Sequence, residues 1–281
     1  MKLLRLGPLG SEKPAIMDEQ GHYRDLSSLI DDVAGEALLP ESLNRLSEVE
    51  LGNLPILDSQ LRIGSCVGAI GKFVCIGLNY ADHAEESNMP IPEEPVVFNK
   101  WTSAVCGPND DVRKPVGSIK LDWEVELGIV VGKPAVNIDE ANAEQHIAGY
   151  CVINDVSERY FQLELGGQWD KGKGCDTFGP TGPWLVTRDE VADVLNLDMS
   201  LEVNGKRFQN GNTKTMIFSP KFIVSYLSRF MSLQSGDVIS TGTPPGVGLG
   251  QNPPVYLEVG DVMDVSIQGL GEQRQRVVGQ R

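Results

Sequence analysis

No stretch of this 281-residue chain approaches the about 18 consecutive apolar residues that a membrane-spanning helix needs. The opening run Met1–Leu6 meets Gly7-Pro8 too soon to form the apolar core of a signal peptide. There is no C-x-x-C pair. The five cysteines, Cys66, Cys75, Cys106, Cys151 and Cys175, are odd in number and widely spaced, so reduced thiols in a cytoplasm are expected. Positive charge is scarce: 24 Lys and Arg stand against 39 Asp and Glu, a formal net charge of −15. That balance argues against nucleic acid and anionic membrane as partners. An anionic substrate would need a site that gathers its own positive charge. No internal repeat or low-complexity segment is present, and the glycines of Gly242–Gly248 match no phosphate-loop spacing.

What is present fits a globular enzyme-sized chain. The apolar fraction is 41%, and the length suits one large domain or a main domain with a small one before it. The expected division is a small N-terminal domain over residues 1–69 and a catalytic domain over 70–281. The informative stretch is Leu121–Gly132. Trp123, Val125, Leu127, Ile129 and Val131 alternate onto one apolar face of a strand, and Glu124, Glu126 and Gly128 fall on the other. Two carboxylates side by side repel unless a cation lies between them. A divalent metal would meet that need; a solvated strand face would give the same pattern.

Other segments read as follows. Ala15–Met17 and His22–Asp25 flank a hairpin turn, and Leu26–Val33 and Pro40–Leu46 are expected to be short helices. Lys72–Gly77 is a buried strand, and the residues after Asn79 suit a helical turn. His83 and Glu86 are three apart and would share a helix face, where a Glu can orient an imidazole or simply form a surface ion pair. Lys100 ends the strand Pro95–Lys100. The strand Gly149–Asp155 delivers Asp155, and if the next segment is helical, Arg159 and Gln162 face it. Gln168–Pro180 reads as loop. Leu201–Phe208 is a hairpin turning on Asn204-Gly205. Ser219 and Pro220 open a helix whose core face is Phe222, Ile223, Tyr226, Leu227 and Phe230. Gly236–Gly248 is a strand entering a Gly/Pro loop that either presents N–H groups to an anion or is a tight turn.

Five motifs in this order resemble the fumarylacetoacetate hydrolase family: Gly77–His83, Leu121–Leu127, Asn154-Asp155, Gly172–Phe178 and Thr241–Gly248. The resemblance runs from about Lys72 to the C-terminus. It implies an α+β fold, a mixed β-sheet roll, assembled as a homodimer. It implies Mg²⁺ or Mn²⁺ held by Glu124, Glu126 and Asp155, a catalytic His83–Glu86 pair and a catalytic Lys173. Arg159 and Gln162 match pocket positions, and Lys100 with Thr241, Gly242 and Thr243 would add positive field and donors for the substrate. Where many relatives have Lys-Ser-Phe-Asp, this chain has Lys173-Gly174-Cys175-Asp176.

Three carboxylates without Cys or His make a hard-oxygen site suited to such ions. The resemblance implies a C–C hydrolase that cleaves the C3–C4 bond of a 2,4-dioxo acid, a small anionic 2-oxo acid such as a 2,4-diketo-3-deoxy sugar acid, to pyruvate and a carboxylic acid. Ureidoglycolate lysis and oxaloacetate decarboxylation would use the same metal and enolate chemistry. A non-catalytic metal-binding scaffold would have no need of His83, Glu86 and Lys173. Gly77 just before His83, together with the Gly-rich segment around Lys173, further suggests that Tyr80 to about Pro92 closes over bound substrate.

Overall fold

The structure, a computed structural model, describes residues 1–82 and 91–279. Along the chain the strands are β1 (Lys2–Leu6), β2 (Lys13–Met17), β3 (Tyr23–Asp25), β4 (Phe73–Gly77), β5 (Val96–Lys100) and β6 (Val105–Cys106). Then come β7 (Val112–Lys114), β8 (Leu121–Asp122), β9 (Val125–Val131), β10 (Ile147–Asn154), β11 (Ser157–Glu158) and β12 (Gly179–Thr187). The last are β13 (Asp198–Val203), β14 (Lys206–Asn212), β15 (Val238–Ser240), β16 (Val262–Ile267) and β17 (Gly271–Gly279). The main sheet is mixed, in the order β3-β2-β1-β12-β10-β9-β15-β4-β5, with β6 added beside β12. A second sheet, β14-β13-β16-β17-β7, packs over it, and β11 and β8 form a small pair.

Strand β9 lies between β10 and β15 and is buried along its whole length. The alternation read from the sequence survives, but both faces are covered. Val125, Leu127, Ile129 and Val131 share a core with Met199, Leu201 and Val265 of the second sheet, whereas Val130 belongs to the core that includes Leu3, Ile16 and Phe73. Each such side chain contributes roughly 1.5–3 kcal/mol through burial. Gly128 is required on the second face, since a Cβ there would lie 2.6 Å from Ile153 Cδ1 and 2.7 Å from Cys151 Sγ.

The expected single strand over 121–132 is interrupted at Trp123-Glu124. The cause is Asp122, whose carboxylate accepts from the Trp123, Gly248 and Leu249 amides and draws the chain out of the main sheet. Residues 1–69, expected to stand as a small domain, instead extend the main sheet. Strand β1 pairs with β12, Leu3 opposite Leu185, and Leu3 and Ile16 enter the same core as Phe73. Leu26–Val33 forms turns rather than a helix, while Pro40–Ser47 is helical as expected. Gln168–Pro180 contains one turn of helix, Asp170–Lys173, because the Lys173 amide closes onto the Trp169 carbonyl at 3.0 Å. The helix Pro220–Leu227 is capped by Ser219 Oγ, but Phe230 lies beyond its end and is 65% exposed. Asn204 and Gly205 both take positive φ at the β13–β14 turn.

Candidate metal centre and adjoining cavity

Register sets the centre. Ile153 of β10 pairs with Glu126 and Asn154 with Val125, so the next residue, Asp155, arrives beside Glu124. Its amide donates to the Glu124 carbonyl at 2.9 Å. Glu124, Glu126 and Asp155 are all buried, and one carboxylate oxygen from each lies within 4.8 Å of the others.

Each carboxylate is held by hydrogen bonds. Glu126 Oε2 accepts from Ser240 Oγ at 2.5 Å and from the Gly242 amide at 2.8 Å. Glu124 accepts from Arg159 Nη2 at 2.6 Å and from Lys173 Nζ at 2.7 Å. Asp155 Oδ2 accepts from Lys173 Nζ at 2.8 Å. The Lys100 ammonium is ion-paired with Asp155 Oδ1, yet that buried oxygen has no well-aligned hydrogen bond among the described residues. Arg159 is fixed in turn by Asp122 Oδ2 at 2.8 Å and donates to Gln162 Oε1 at 3.1 Å.

The electrostatics are uneven. Burial tends to raise the Glu124 carboxyl, but Lys173 and Arg159 overcome it and hold it well below the carboxylate range. Burial pushes Glu126 well above that range, and the Asp155 and Glu124 charges push it further. Burial would lower the Lys173 ammonium, but Asp155 and Glu124 raise it, so it stays charged. Two mutually repelling carboxylates and an under-satisfied Asp155 oxygen are what a hard divalent cation would relieve. The all-oxygen donor set fits such an ion.

A cavity of about 370 Å³ opens on Glu124 and Glu126 and is bordered by Arg159, Gln162, Lys173, Gly242 and Thr243. Most predicted site residues therefore converge. Lys100, expected to meet substrate, does not line this cavity. Its ammonium is occupied by Asp155 and by the carbonyls of Val156 and Lys173, so it positions Asp155 instead. Thr241 is likewise behind the wall, its hydroxyl donating to the Leu127 carbonyl at 2.9 Å. Thr243 borders the cavity but donates its hydroxyl to the Val125 carbonyl at 2.8 Å. His83 and Glu86, and most of the segment expected to close, lie outside the described residues. Asp122 and Ser240 were not singled out from the sequence. In the sequence Asp122 is one residue of a strand pattern, and Ser240 carries no signal beyond its place at the end of a buried strand.

The family model of the fumarylacetoacetate (FAA) hydrolase C-terminal region matches residues 72–278. A chain of Burkholderia multivorans that carries a provisional hydrolase name is 60% identical over 98% of both chains. Among solved structures, a fumarylacetoacetate hydrolase from Exiguobacterium antarcticum superposes with a TM-score of 0.86 at 35% identity and covers the whole of each chain. A maleylpyruvate hydrolase from Sphingobium sp. SYK-6, solved with manganese(II) and pyruvate, gives a TM-score of 0.83 at 27% identity, again over both whole chains.

Proposed function

The chain belongs to the fumarylacetoacetate hydrolase family, and on that premise we propose that it is a Mg²⁺- or Mn²⁺-dependent hydrolase that cleaves the C3–C4 bond of a 2,4-dioxo acid. The observation that supports this most is the buried Glu124–Glu126–Asp155 triad facing a cavity edged by Lys173 and Arg159. A divalent ion held by these three carboxylates would supply Lewis acidity toward the 2-oxo acid end of the substrate and lower the cost of enolate charge.

The chain's own groups supply the rest. Arg159 and Gln162 border the cavity next to Glu124 and are placed to orient a carboxylate or keto oxygen. Lys173 stays charged and reaches the same space, where it can stabilise oxyanion charge as it develops at C4. The resemblance gives the general-base role to His83, with Glu86 as its partner. In that role His83 removes a proton from water, the hydroxide adds to C4, and the C3–C4 bond breaks with its electron pair on C3. A proton then goes to C3, giving pyruvate, and the acyl fragment leaves as a carboxylate.

The test is a panel of 2,4-dioxo acids with Mg²⁺ or Mn²⁺, read by pyruvate release and by incorporation of ¹⁸O from water into the product acid. Pyruvate with one labelled oxygen in the acid supports the reading. Carbon dioxide from oxaloacetate, or urea from ureidoglycolate, with no cleavage of any 2,4-dioxo acid in the panel, would replace it with the decarboxylase or lyase reading. Glu124→Ala should lose metal-dependent turnover while its circular dichroism spectrum stays native.

A further inference from the structure

We propose that the cavity selects 2,4-dioxo acids whose acyl group is apolar and uncharged, and discriminates against both sugar-derived and dicarboxylate substrates. The inference rests on the hydrolase reading above and concerns only the part of the substrate beyond C4. Its basis is that the polar groups of the cavity gather around Glu124 and Glu126, at the end given above to the 2-oxo acid. Arg159 and Lys173 are the cations that border it among the described residues. Arg159 is engaged by Asp122, Glu124 and Gln162, and Lys173 by Glu124 and Asp155. Thr243 Oγ1 donates to the Val125 carbonyl and accepts from Gln209 Nε2 at 2.8 Å, and the Gly242 amide is on Glu126.

The rest of the lining is hydrocarbon and aromatic surface: Leu78, Phe98, Leu163, Trp169, Val247 and Leu249. This wall begins at the polar centre itself, since Lys173 Nζ sits 5.0 Å from the Phe98 ring centroid. Phe98 meets Trp169 edge to face at 5.4 Å. The indole lies against the backbone of Gly77, where a Cβ would come within 2.7 Å of Trp169 Cζ3. Leu249 is anchored by its amide on Asp122 Oδ2 at 3.0 Å. A second carboxylate or a row of hydroxyls placed on such a wall loses water without gaining partners among the described residues, roughly tenfold or more in affinity for each unpaired hydroxyl. An alkyl or aryl group gains about two- to fourfold for each methylene buried.

Two measurements on the full chain with Mn²⁺ separate selectivity from chemistry. The first is calorimetric binding of 2-oxo acids that lack the 4-keto group: 2-oxobutanoate, 2-oxohexanoate, 2-oxooctanoate and 2-oxoadipate. Affinity should rise with alkyl length, and 2-oxooctanoate should bind at least tenfold tighter than 2-oxoadipate, which has the same number of heavy atoms. Equal or tighter binding of 2-oxoadipate overturns the proposal. The second compares kcat/KM for alkanoyl- and benzoylpyruvates with that for a 3-deoxy sugar-derived dioxo acid. A preference of tenfold or more for the apolar group supports the proposal, and the reverse order overturns it while leaving the hydrolase reading intact. If no dioxo acid is cleaved but the binding order holds, the hydrolase reading fails and the selectivity stands. Leu163 is 46% exposed, so Leu163→Arg should fold, and it should bring 2-oxoadipate within threefold of 2-oxooctanoate. An unchanged ratio in that variant counts against the wall as the selector.

Discussion

Gly242 carries two duties at once. It holds φ +98°, and its amide donates to Glu126 Oε2 at 2.8 Å. A Cβ there would lie 2.8 Å from Asn79 Cβ and 3.2 Å from the Ile76 carbonyl oxygen, so neither the dihedral nor the space suits alanine. Gly242→Ala should cost about 1–3 kcal/mol and lower Tm by roughly 3–10 °C. It should also weaken metal binding by misplacing the Glu126 carboxylate; a native Tm with unchanged affinity would show that the backbone adapts. Lys173 poses a different problem, because its ammonium is buried between two carboxylates. Lys173→Met should destabilise the metal-free protein by about 3–5 kcal/mol, since Glu124 and Asp155 lose their shared partner. With saturating Mn²⁺ the loss should shrink, because a cation is restored to them, and urea unfolding of both proteins in both states checks this. Equal losses in the two states would mean that the carboxylates are satisfied without either cation. At this scale the Glu124–Glu126 pair was legible because strand alternation places like charges side by side. Lys100 was not, since the sequence shows its position at a strand end but not that Asp155, two carbonyls and the Phe178 ring close around it.

Elements were legible where local pattern and tertiary setting agree. The β13–β14 hairpin follows from Asn204-Gly205, and the helix Pro220–Leu227 from the Ser219 cap and Pro220, because turn and cap chemistry act within a few residues. The second cover over β9 did not follow from its alternation, since Val130 shares its core with Leu3, Ile16 and Phe73, all far off in sequence. Nor did the break before β9, which depends on amides of Gly248 and Leu249 far along the chain. The β2–β3 hairpin was legible and carries a testable pH response. Asp18 caps its turn, accepting from the Gln20 and His22 amides at 3.0 and 2.8 Å and from Arg24 Nε at 2.8 Å. Burial tends to raise this carboxyl, but Arg24 and the His22 amide hold it at about 2. Its unfolded value is about 3.9, so the folded form holds the proton less tightly. The stability that Asp18 contributes is therefore full above about pH 4 and lost as pH falls through about 2. Asp18→Asn should lower the urea midpoint at pH 6 and flatten its decline between about pH 4 and pH 2. A decline as steep as in the parent protein would assign the acid limb to other carboxylates.

Across the whole molecule, the N-terminal strands and the centre share one sheet, with β1 joined to β12 and β12 to β10, the strand that delivers Asp155. The pairing of Leu3 with Leu185 has no local signature, which is why a separate small domain looked reasonable from sequence. The net charge of −15, by contrast, is plain from the sequence, and its consequence for an anionic substrate can be worked out. Inside, Asp122, Glu124, Glu126 and Asp155 face Lys100, Arg159 and Lys173, and a divalent ion would turn that local balance positive. The attraction is short-ranged and buried, so salt screens it little. The repulsion from the acidic exterior is long-ranged, reaching about 30 Å at 10 mM ionic strength and about 8 Å at 150 mM. Raising salt over that interval should therefore remove repulsion during approach and leave the bound complex nearly unchanged. For a 2,4-dioxo acid at fixed free Mn²⁺, kcat/KM should rise severalfold between these two ionic strengths and then level off, while kcat stays constant. The same curve should appear with sodium and with tetramethylammonium chloride, since screening does not depend on which cation supplies it. If kcat/KM falls instead, the field at the mouth of the cavity is already positive, and the three buried cations project further than their ion pairs suggest.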